Sequence, residues 1–236
     1  MFRAKSEPIL EIDGQNLPVQ VRRYAQAKGY RLRYDAVRGA LRLSMPMRGS
    51  ERDALQWACS QQDWVKSQMA RTVTAQRLEP GAQIMVEGVE RLIVWEKALA
   101  RTPKLEENRL YVGGPEESLS PRLLRWLRRH ALATLTNETH EFAAKEQLKV
   151  ASVRIGDPRS RWGSCSADGN IRYSWRLILA PPHVRRATVA HEVAHLLHMD
   201  HSPAFHAAHA RLLGEDTAPA RVWLKAHGAA LHAVMA

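Results

Sequence analysis

The sequence predicts an α+β protein in which an antiparallel β-rich N-terminal region precedes a mostly helical second half. In the first part of the chain, apolar and basic residues alternate with a period of two, as they do in strands with one buried face. Later, apolar residues recur at helical spacing over two long stretches, between residues 120 and 148 and again from residue 182.

Strands are expected in two clusters. The first is an antiparallel meander with one buried face, and its strands cover residues 17–24, 30–35 and 40–45. The second is divided by a turn at Glu87-Gly88, and its strands cover residues 83–95 and 109–112. Gly113-Gly114-Pro115 then ends the β-rich part and is the predicted linker. The predicted domains are therefore residues 1–115 and 116–236.

Three helices follow from capping signals and spacing. Ser50 is a typical N-cap before an amphipathic segment, and Trp57 and Trp64 share one face of that helix, where we expect both to pack in the core. A long helix runs from Ser120 to about Leu148, and short strands follow at 152–156 and 171–175. Pro181-Pro182 opens a third helix, which carries an apolar stripe.

Length and composition limit the class of protein. A chain of 236 residues with 45% apolar and 25% charged residues fits one or two globular domains rather than disorder. It has no run of 18 apolar residues and no apolar signal segment, so we expect no membrane association. Cys59 and Cys165 are too few for a disulfide scaffold. Together these features predict a cytoplasmic protein.

The net charge of +11 comes from 35 Lys and Arg residues against 24 Asp and Glu residues. Such an excess admits an anionic partner without identifying one. We expect a solvated surface, with nucleic-acid binding as the alternative. The arginines concerned lie in the N-terminal strands and on part of the long helix: Arg22, Arg23, Arg31, Arg33, Arg38, Arg42, Arg122, Arg125, Arg128 and Arg129.

Histidines cluster near the end of the chain. Seven of the 11 fall between residues 183 and 209, and His191-Glu192-Val193-Ala194-His195 stands among them. Residues four apart on a helix differ by about 40° in azimuth and about 6 Å in height, so both imidazoles can bind one ion. Zinc in catalytic sites takes three protein ligands and a water, and Glu192 is placed to act as general base.

The third ligand must lie outside this motif. His198 is about 10.5 Å along the axis from His191, too far on a straight helix. Ser202-Pro203 reads as the N-cap and first residue of a new helix, so the chain turns before it and can bring His201 back to the metal. His201 is the favoured ligand, and Glu215, His206 and His209 stay open.

With these residues in view, the chain resembles the YgjP-like metallopeptidase family of the zincin group, which is related to the WLM and SprT-type proteases. The resemblance rests on Arg161-Trp162-Gly163-Ser164-Cys165, on RLILAPP at 176–182 and on HEVAHLLHMDHSPAF at 191–205. It implies a zincin-like catalytic domain with His191, His195 and His201 as metal ligands and Glu192 as acid/base. The chain departs from the common family pattern at Ala187-Thr188 and at His206, neither of which is an implied ligand.

The block at 161–165 also invites a chemical interpretation. A peptide-cleaving site needs a strand edge or loop that holds the substrate backbone and stabilises the developing oxyanion. Four residues near the short strands predicted at 152–156 and 171–175 can donate hydrogen bonds, and Arg161 is our choice among them; the other three are Ser164, Arg172 and Tyr173. We expect Cys165 to be a small buried residue rather than a ligand or nucleophile.

The sequence therefore predicts a zinc-dependent hydrolase, most simply a peptidase acting on a peptide or protein. Two alternatives stay open. Zinc-activated water also serves phosphate anhydrides, which the arginine excess would suit. A nucleic-acid-associated module, with or without proteolysis, would use the arginine-rich strands and helix face, although no paired zinc-finger ligands or other DNA-reading motif is present.

Overall fold

The computed structural model describes residues 7–12, 14–35, 38–70 and 76–235. It is a mixed α+β structure, as the sequence predicted, and this part of the chain forms six α-helices and several small sheets. The chain divides into two compact units, residues 1–74 and residues 75–236. Among the described residues, no helix combines the length and apolarity required to cross a membrane.

The first unit contains a four-stranded sheet with the order β1-β2-β4-β3. Its strands are β1 (Ile9–Ile12), β2 (Gln15–Tyr24), β3 (Arg31–Asp35) and β4 (Ala40–Pro46). The predicted meander is wrong in its order, because β4 lies between β2 and β3 and runs parallel to β2. The chain thus passes from β2 to a strand, β3, that is not its neighbour, and β4 then takes the position between them.

Two helices cover the apolar face of this sheet. They are α1 (Glu51–Ser60) and α2 (Gln62–Ala70). Ser50 is the N-cap, as predicted, and its hydroxyl accepts a hydrogen bond from the Asp53 N–H. Trp57 packs against the core of the unit, but Trp64 is 38% exposed, so its predicted burial is wrong. The single predicted helix is interrupted at Gln61, where α1 ends, and α2 begins at the next residue.

The second unit begins with another four-stranded sheet, ordered β6-β7-β9-β8. Its strands are β6 (Gln83–Val86), β7 (Val89–Trp95), β8 (Lys104–Glu106) and β9 (Arg109–Val112), preceded by β5 (Gln76–Arg77). The turn between β6 and β7 lies at Glu87-Gly88, as predicted, and both residues have positive φ. The strand order and orientations repeat those of the first sheet.

The compact units divide near residue 75, whereas the sequence placed its boundary at 115. The apolar side chains of the second sheet belong to the same buried cluster as the helices that follow it. Gly113 and Gly114 are buried, and a Cβ at Gly113 would overlap the carbonyl group of Leu99. These glycines permit a close backbone crossing inside the second unit, and Pro115 is exposed beside it.

A long helix, α3 (Leu119–Lys145), forms the centre of the second unit. Its buried face packs on a three-stranded sheet of β10 (Ser152–Gly156), β11 (Gly163–Cys165) and β12 (Asn170–Ser174). The order is β10-β12-β11, so β11 is an edge strand. A 3-10 helix at Trp175–Leu179 then leads through Pro181 into the remaining elements: α4 (Pro182–Ala194), α5 (Pro203–Leu213), α6 (Ala218–Ala233) and β13 (Val234–Met235).

Buried arginines fix two of these helices. Arg176 donates to the carbonyl oxygens of Leu231 at 2.6 Å and Val234 at 2.8 Å, and it pairs with Asp157 at 2.7 Å. It therefore satisfies carbonyl groups at the C-terminus of α6, where its positive charge is favoured. On α4, Arg185 donates to both carboxylate oxygens of Glu138 on α3, at 2.9 and 3.1 Å.

A second Arg–Glu pair joins the same two helices at the surface. Arg186 on α4 donates to Glu141 on α3 at 2.6 and 2.8 Å, with the carboxyl side chain 50% exposed. The hydrogen bond from Arg186 holds the pKa of the Glu141 carboxyl group below its usual range. The helix that carries His191 and Glu192 is thus fastened to the central helix by one buried and one exposed pair.

These two pairs yield a matched stability test. Glu138→Gln leaves the Arg185 guanidinium buried without its bidentate partner, and we expect the free energy of unfolding to fall by about 3 kcal/mol. Glu141→Gln breaks the exposed pair, and we expect a loss of about 1 kcal/mol or less. Urea unfolding followed by circular dichroism measures both values. Equal losses would contradict the stronger role assigned to Glu138.

Candidate metal centre

The first part of the site is the C-terminal turn of α4. Pro182 occupies the first turn of this helix, where its missing N–H costs no hydrogen bond. His191 and Glu192 lie in the last turn, and His195 is the C-cap. The regular helix therefore ends at Ala194, and His198 lies beyond it.

The last turn tightens directly after His195. The N–H groups of Leu197 and His198 both bond to the carbonyl oxygen of Ala194 at 3.0 Å, which closes the end of the helix tightly. Ser202 then caps α5, as predicted, and its hydroxyl accepts from the Phe205 N–H at 3.4 Å. Between these two points the chain returns toward α4 and carries His201 with it.

Three histidines converge at this reversal. One ring nitrogen each from His191, His195 and His201 lies within 4.8 Å of the other two. The Nε2 atoms of His191 and His201 are 3.2 Å apart. Across the described ranges, no other group of His, Cys, Asp or Glu side chains has this arrangement.

The donor set fits a zinc ion. Zinc binds imidazole nitrogen at about 2.0 to 2.1 Å in a tetrahedral arrangement, so two of its ligand atoms lie about 3.3 Å apart. The 3.2 Å separation between the His191 and His201 nitrogens agrees with that spacing. Burial and the neighbouring histidines lower the pKa of His191 to about 3, which keeps this imidazole neutral. A neutral imidazole is the form that binds metal.

Two features orient the three rings. The Nδ1 atom of His195 lies 3.0 Å from the carbonyl oxygen of His198, a contact that directs Nε2 toward the centre. The Phe205 ring, which is fully buried, lies 4.5 to 4.9 Å from all three imidazole centroids. Phe205 thus forms the apolar floor of the site. The sequence singles out Phe205 only as part of the HSPAF motif, although its spacing on α5 indicates a buried position.

The other candidate ligands lie elsewhere. His209 is buried, but its Nε2 bonds to the Ala187 carbonyl oxygen at 3.0 Å, so it joins α5 to α4. His206 is exposed, with its ring centroid 6.4 Å from that of His201. Glu215 is exposed beyond the end of α5, and His198 lies outside the triad, as its spacing predicted.

Glu192 lies beside the triad against β11. It is 5% exposed, and burial raises the pKa of its carboxyl group to about 7, opposed by the positive charge of Arg161. A Cβ added at Gly163 would lie within 2.6 Å of the Cγ and Cδ atoms of Glu192. Glycine at 163 therefore allows the backbone of β11 to approach the carboxylate closely.

Edge strand β11 presents unpaired backbone groups beside Glu192. The Trp162 carbonyl oxygen accepts from the Ser174 N–H at 2.8 Å, and the Ser166 N–H donates to the Asn170 carbonyl oxygen at 3.0 Å. By the alternation of an antiparallel ladder, Ser164 also bonds toward β12. The N–H and C=O groups of Gly163 and Cys165 consequently point away from β12, along the free edge.

The structure separates the four candidate hydrogen-bond donors. Ser164 and Arg172 form a cross-strand pair on the face opposite Gly163, away from Glu192. Tyr173 is fully buried, with its hydroxyl 3.0 Å from that of Thr139. Arg161 is exposed, and its charge acts directly on the Glu192 carboxylate. Cys165 is partly buried, and burial raises the pKa of its thiol to about 11, so it carries little thiolate.

Comparison with known proteins agrees with this geometry. A family model described as "YgjP-like, metallopeptidase domain" matches residues 28–227, which include every element from β3 through most of α6. No curated protein and no solved structure matches the chain significantly. The matched range contains the histidine triad, Glu192 and the Gly163 strand. On this basis the chain belongs to the YgjP-like family of metallopeptidase domains.

Proposed function

We propose that this protein is a zinc-dependent peptidase that uses Glu192 as its general base. The observation that carries the proposal is the convergence of three imidazole nitrogens within 4.8 Å, with a buried carboxylate on the adjacent residue of the same helix. His191, His195 and His201 would hold the ion. When bound, zinc supplies a Lewis acid that polarises a carbonyl group and lowers the pKa of water.

Glu192 performs the proton transfers. Its carboxylate accepts a proton from the attacking water and later donates it to the leaving amine nitrogen. The side chain is fixed for this task, because the Gly163 backbone packs against it on one side and α4 holds its Cα in a regular helix. Proton transfer by such a positioned group contributes about 10² to 10⁴ to the rate.

The free edge of β11 positions the substrate. A peptide in extended conformation can bond to the outward backbone groups of Gly163 and Cys165 as an additional antiparallel or parallel strand. That edge runs past Glu192, so the bound peptide bond would lie beside the general base. Arg161, which precedes β11 and is electrostatically coupled to Glu192, is the side chain we assign to the oxyanion.

The first test concerns the metal ligands. His191→Ala, His195→Ala and His201→Ala should each weaken zinc affinity by at least about 100-fold, since even indirect supports of a ligand cost 10- to 100-fold. His198→Ala and Glu215→Ala are matched controls and should retain zinc. Elemental analysis and a competition titration with a chelator measure this. Loss of zinc in Glu215→Ala with retention in His201→Ala would overturn the assigned ligand set.

The second test separates chemistry from metal binding. Glu192→Gln keeps the size and hydrogen-bonding capacity of the side chain but cannot accept the proton. We expect full zinc content with peptide hydrolysis reduced by about 10² to 10⁴. A screen of fluorogenic peptides, run beside nucleoside triphosphates, provides the measurement. Undiminished hydrolysis in this variant would exclude Glu192 as the base, and cleavage of triphosphates alone would exclude a peptidase.

The third test concerns the contact between β11 and Glu192. Gly163→Ala places a methyl group where the carboxylate lies, so Glu192 must move. We expect peptide hydrolysis to fall at least tenfold, as small displacements of catalytic groups do, while zinc stays bound. Ser164→Ala, on the opposite face of the same strand, serves as control and should hydrolyse peptides normally. Equal activity of the two variants would show that this close approach is unimportant.

A further inference from the structure

One face of the first sheet carries an unusual set of side chains. The face opposite the helices presents two rows across β3, β4 and β2. The rows follow from the strand register: Arg33, Arg42 and Gln20 in one, and Arg31, Ser44 and Arg22 in the next. We call these four arginines, together with Gln20 and Ser44, the arginine face. The opposite face is apolar and packs on α1 and α2.

The positive charge of the arginine face is largely uncompensated. Arg22, Arg31 and Arg33 are exposed, and within the described part of the chain they form neither ion pairs nor side-chain hydrogen bonds. Of the four arginines, Arg42 alone has an acidic partner among the described residues, Asp35, at 2.7 Å. Sheet faces that only meet water commonly pair opposite charges across strands. An anionic ligand would supply the missing counter-charge.

The register makes this arrangement unfavourable for folding alone. Arg33 lies directly opposite Arg42 in the β3–β4 pair. Like charges in that position destabilise a sheet. The Nε atom of Arg42 is also buried, and it has no hydrogen-bond partner within the described ranges. The stability of the sheet alone therefore does not account for the arginine face, whereas a polyanionic ligand would.

The side chains indicate which polyanion. All four cations are arginine, whose planar guanidinium binds phosphate through two hydrogen bonds and also stacks on bases. Tyr24 ends the outward row of β2 and is 47% exposed, so its ring is open to stacking. An open sheet face with an aromatic ring and a track of positive charge is a common platform for single strands.

We propose that the arginine face binds single-stranded nucleic acid. Arg22, Arg31 and Arg33 would contact successive phosphates, and Tyr24 would stack on a base. This site lies in the first unit and involves none of the residues of the metal centre. The proposal therefore does not depend on the proposed peptidase activity.

Fluorescence anisotropy of the full chain with labelled single-stranded DNA and RNA tests this proposal. Arg22→Gln/Arg31→Gln/Arg33→Gln should weaken binding about tenfold or more at low salt. The slope of log K against log salt should also lose about 2 in magnitude, because each phosphate contact on a single strand contributes about −0.7. Tyr24→Ala should weaken binding with the slope unchanged.

A second triple variant controls for net charge. Arg101, Arg125 and Arg129 are equally exposed, line a pocket beside Trp126 in the second unit and form no ion pairs among the described residues. Arg101→Gln/Arg125→Gln/Arg129→Gln should bind within about twofold of the wild type. An equal loss in both triple variants, or a loss in this control alone, would overturn the proposal.

Two further outcomes would also overturn it: no binding of either single strand at low salt, or tighter binding of duplex DNA or inorganic polyphosphate than of the single strands. Folding is controlled with Arg33→Glu, which places a carboxylate opposite Arg42 and so improves the cross-strand pair. This variant should unfold at the same or a higher urea concentration than the wild type and still bind more weakly. Undiminished binding by Arg33→Glu would exclude the arginine face as the site.

Discussion

The site depends on where α4 stops. If the helix continued past His195, His201 would be carried along the axis and away from His191. Instead the Ala194 carbonyl group accepts the N–H of Leu197, three residues on, as well as the helical bond from His198, so the last turn tightens, and the chain folds back within seven residues to the Ser202 cap. The three imidazoles are thus brought together by backbone hydrogen bonds and a helix cap. Phe205, in the first turn of α5, then fills the space beneath them.

A second constraint is the packing of strand β11 directly on α4, the helix that carries His191 and Glu192. Only glycine at 163 permits the β11 backbone to reach Glu192, and the closeness removes water from that carboxylate. The burial of the Glu192 carboxylate therefore depends on the absence of a side chain at Gly163. The position of α4 is fixed on its other sides, because Arg185 and Arg186 bond it to α3 and His209 bonds it to α5.

Local signals in the sequence predicted the elements they control. The four-residue spacing of His191 and His195, the Ser202-Pro203 cap and the Glu87-Gly88 turn each act within one turn of the chain, and the structure contains the corresponding elements. Non-local pairings were not predictable in this way. The parallel β2–β4 pair, the edge position of β11 and the inclusion of Gly113 in the second core depend on segments far apart in sequence. The two four-stranded sheets also share one strand order, but the sequence shows no repeat that would have predicted it.

The short length of β11 has a consequence for the protein's own behaviour. An unpaired strand edge is a template on which any exposed chain, including a second copy of the same protein, can add a strand and begin to aggregate. Here the strand has only three residues, and one of them is glycine, which weakens strand formation. The backbone of β11 therefore offers few hydrogen bonds to a strand of another folded protein. The edge can stay open in solution because it is too short to hold another folded protein by backbone pairing alone.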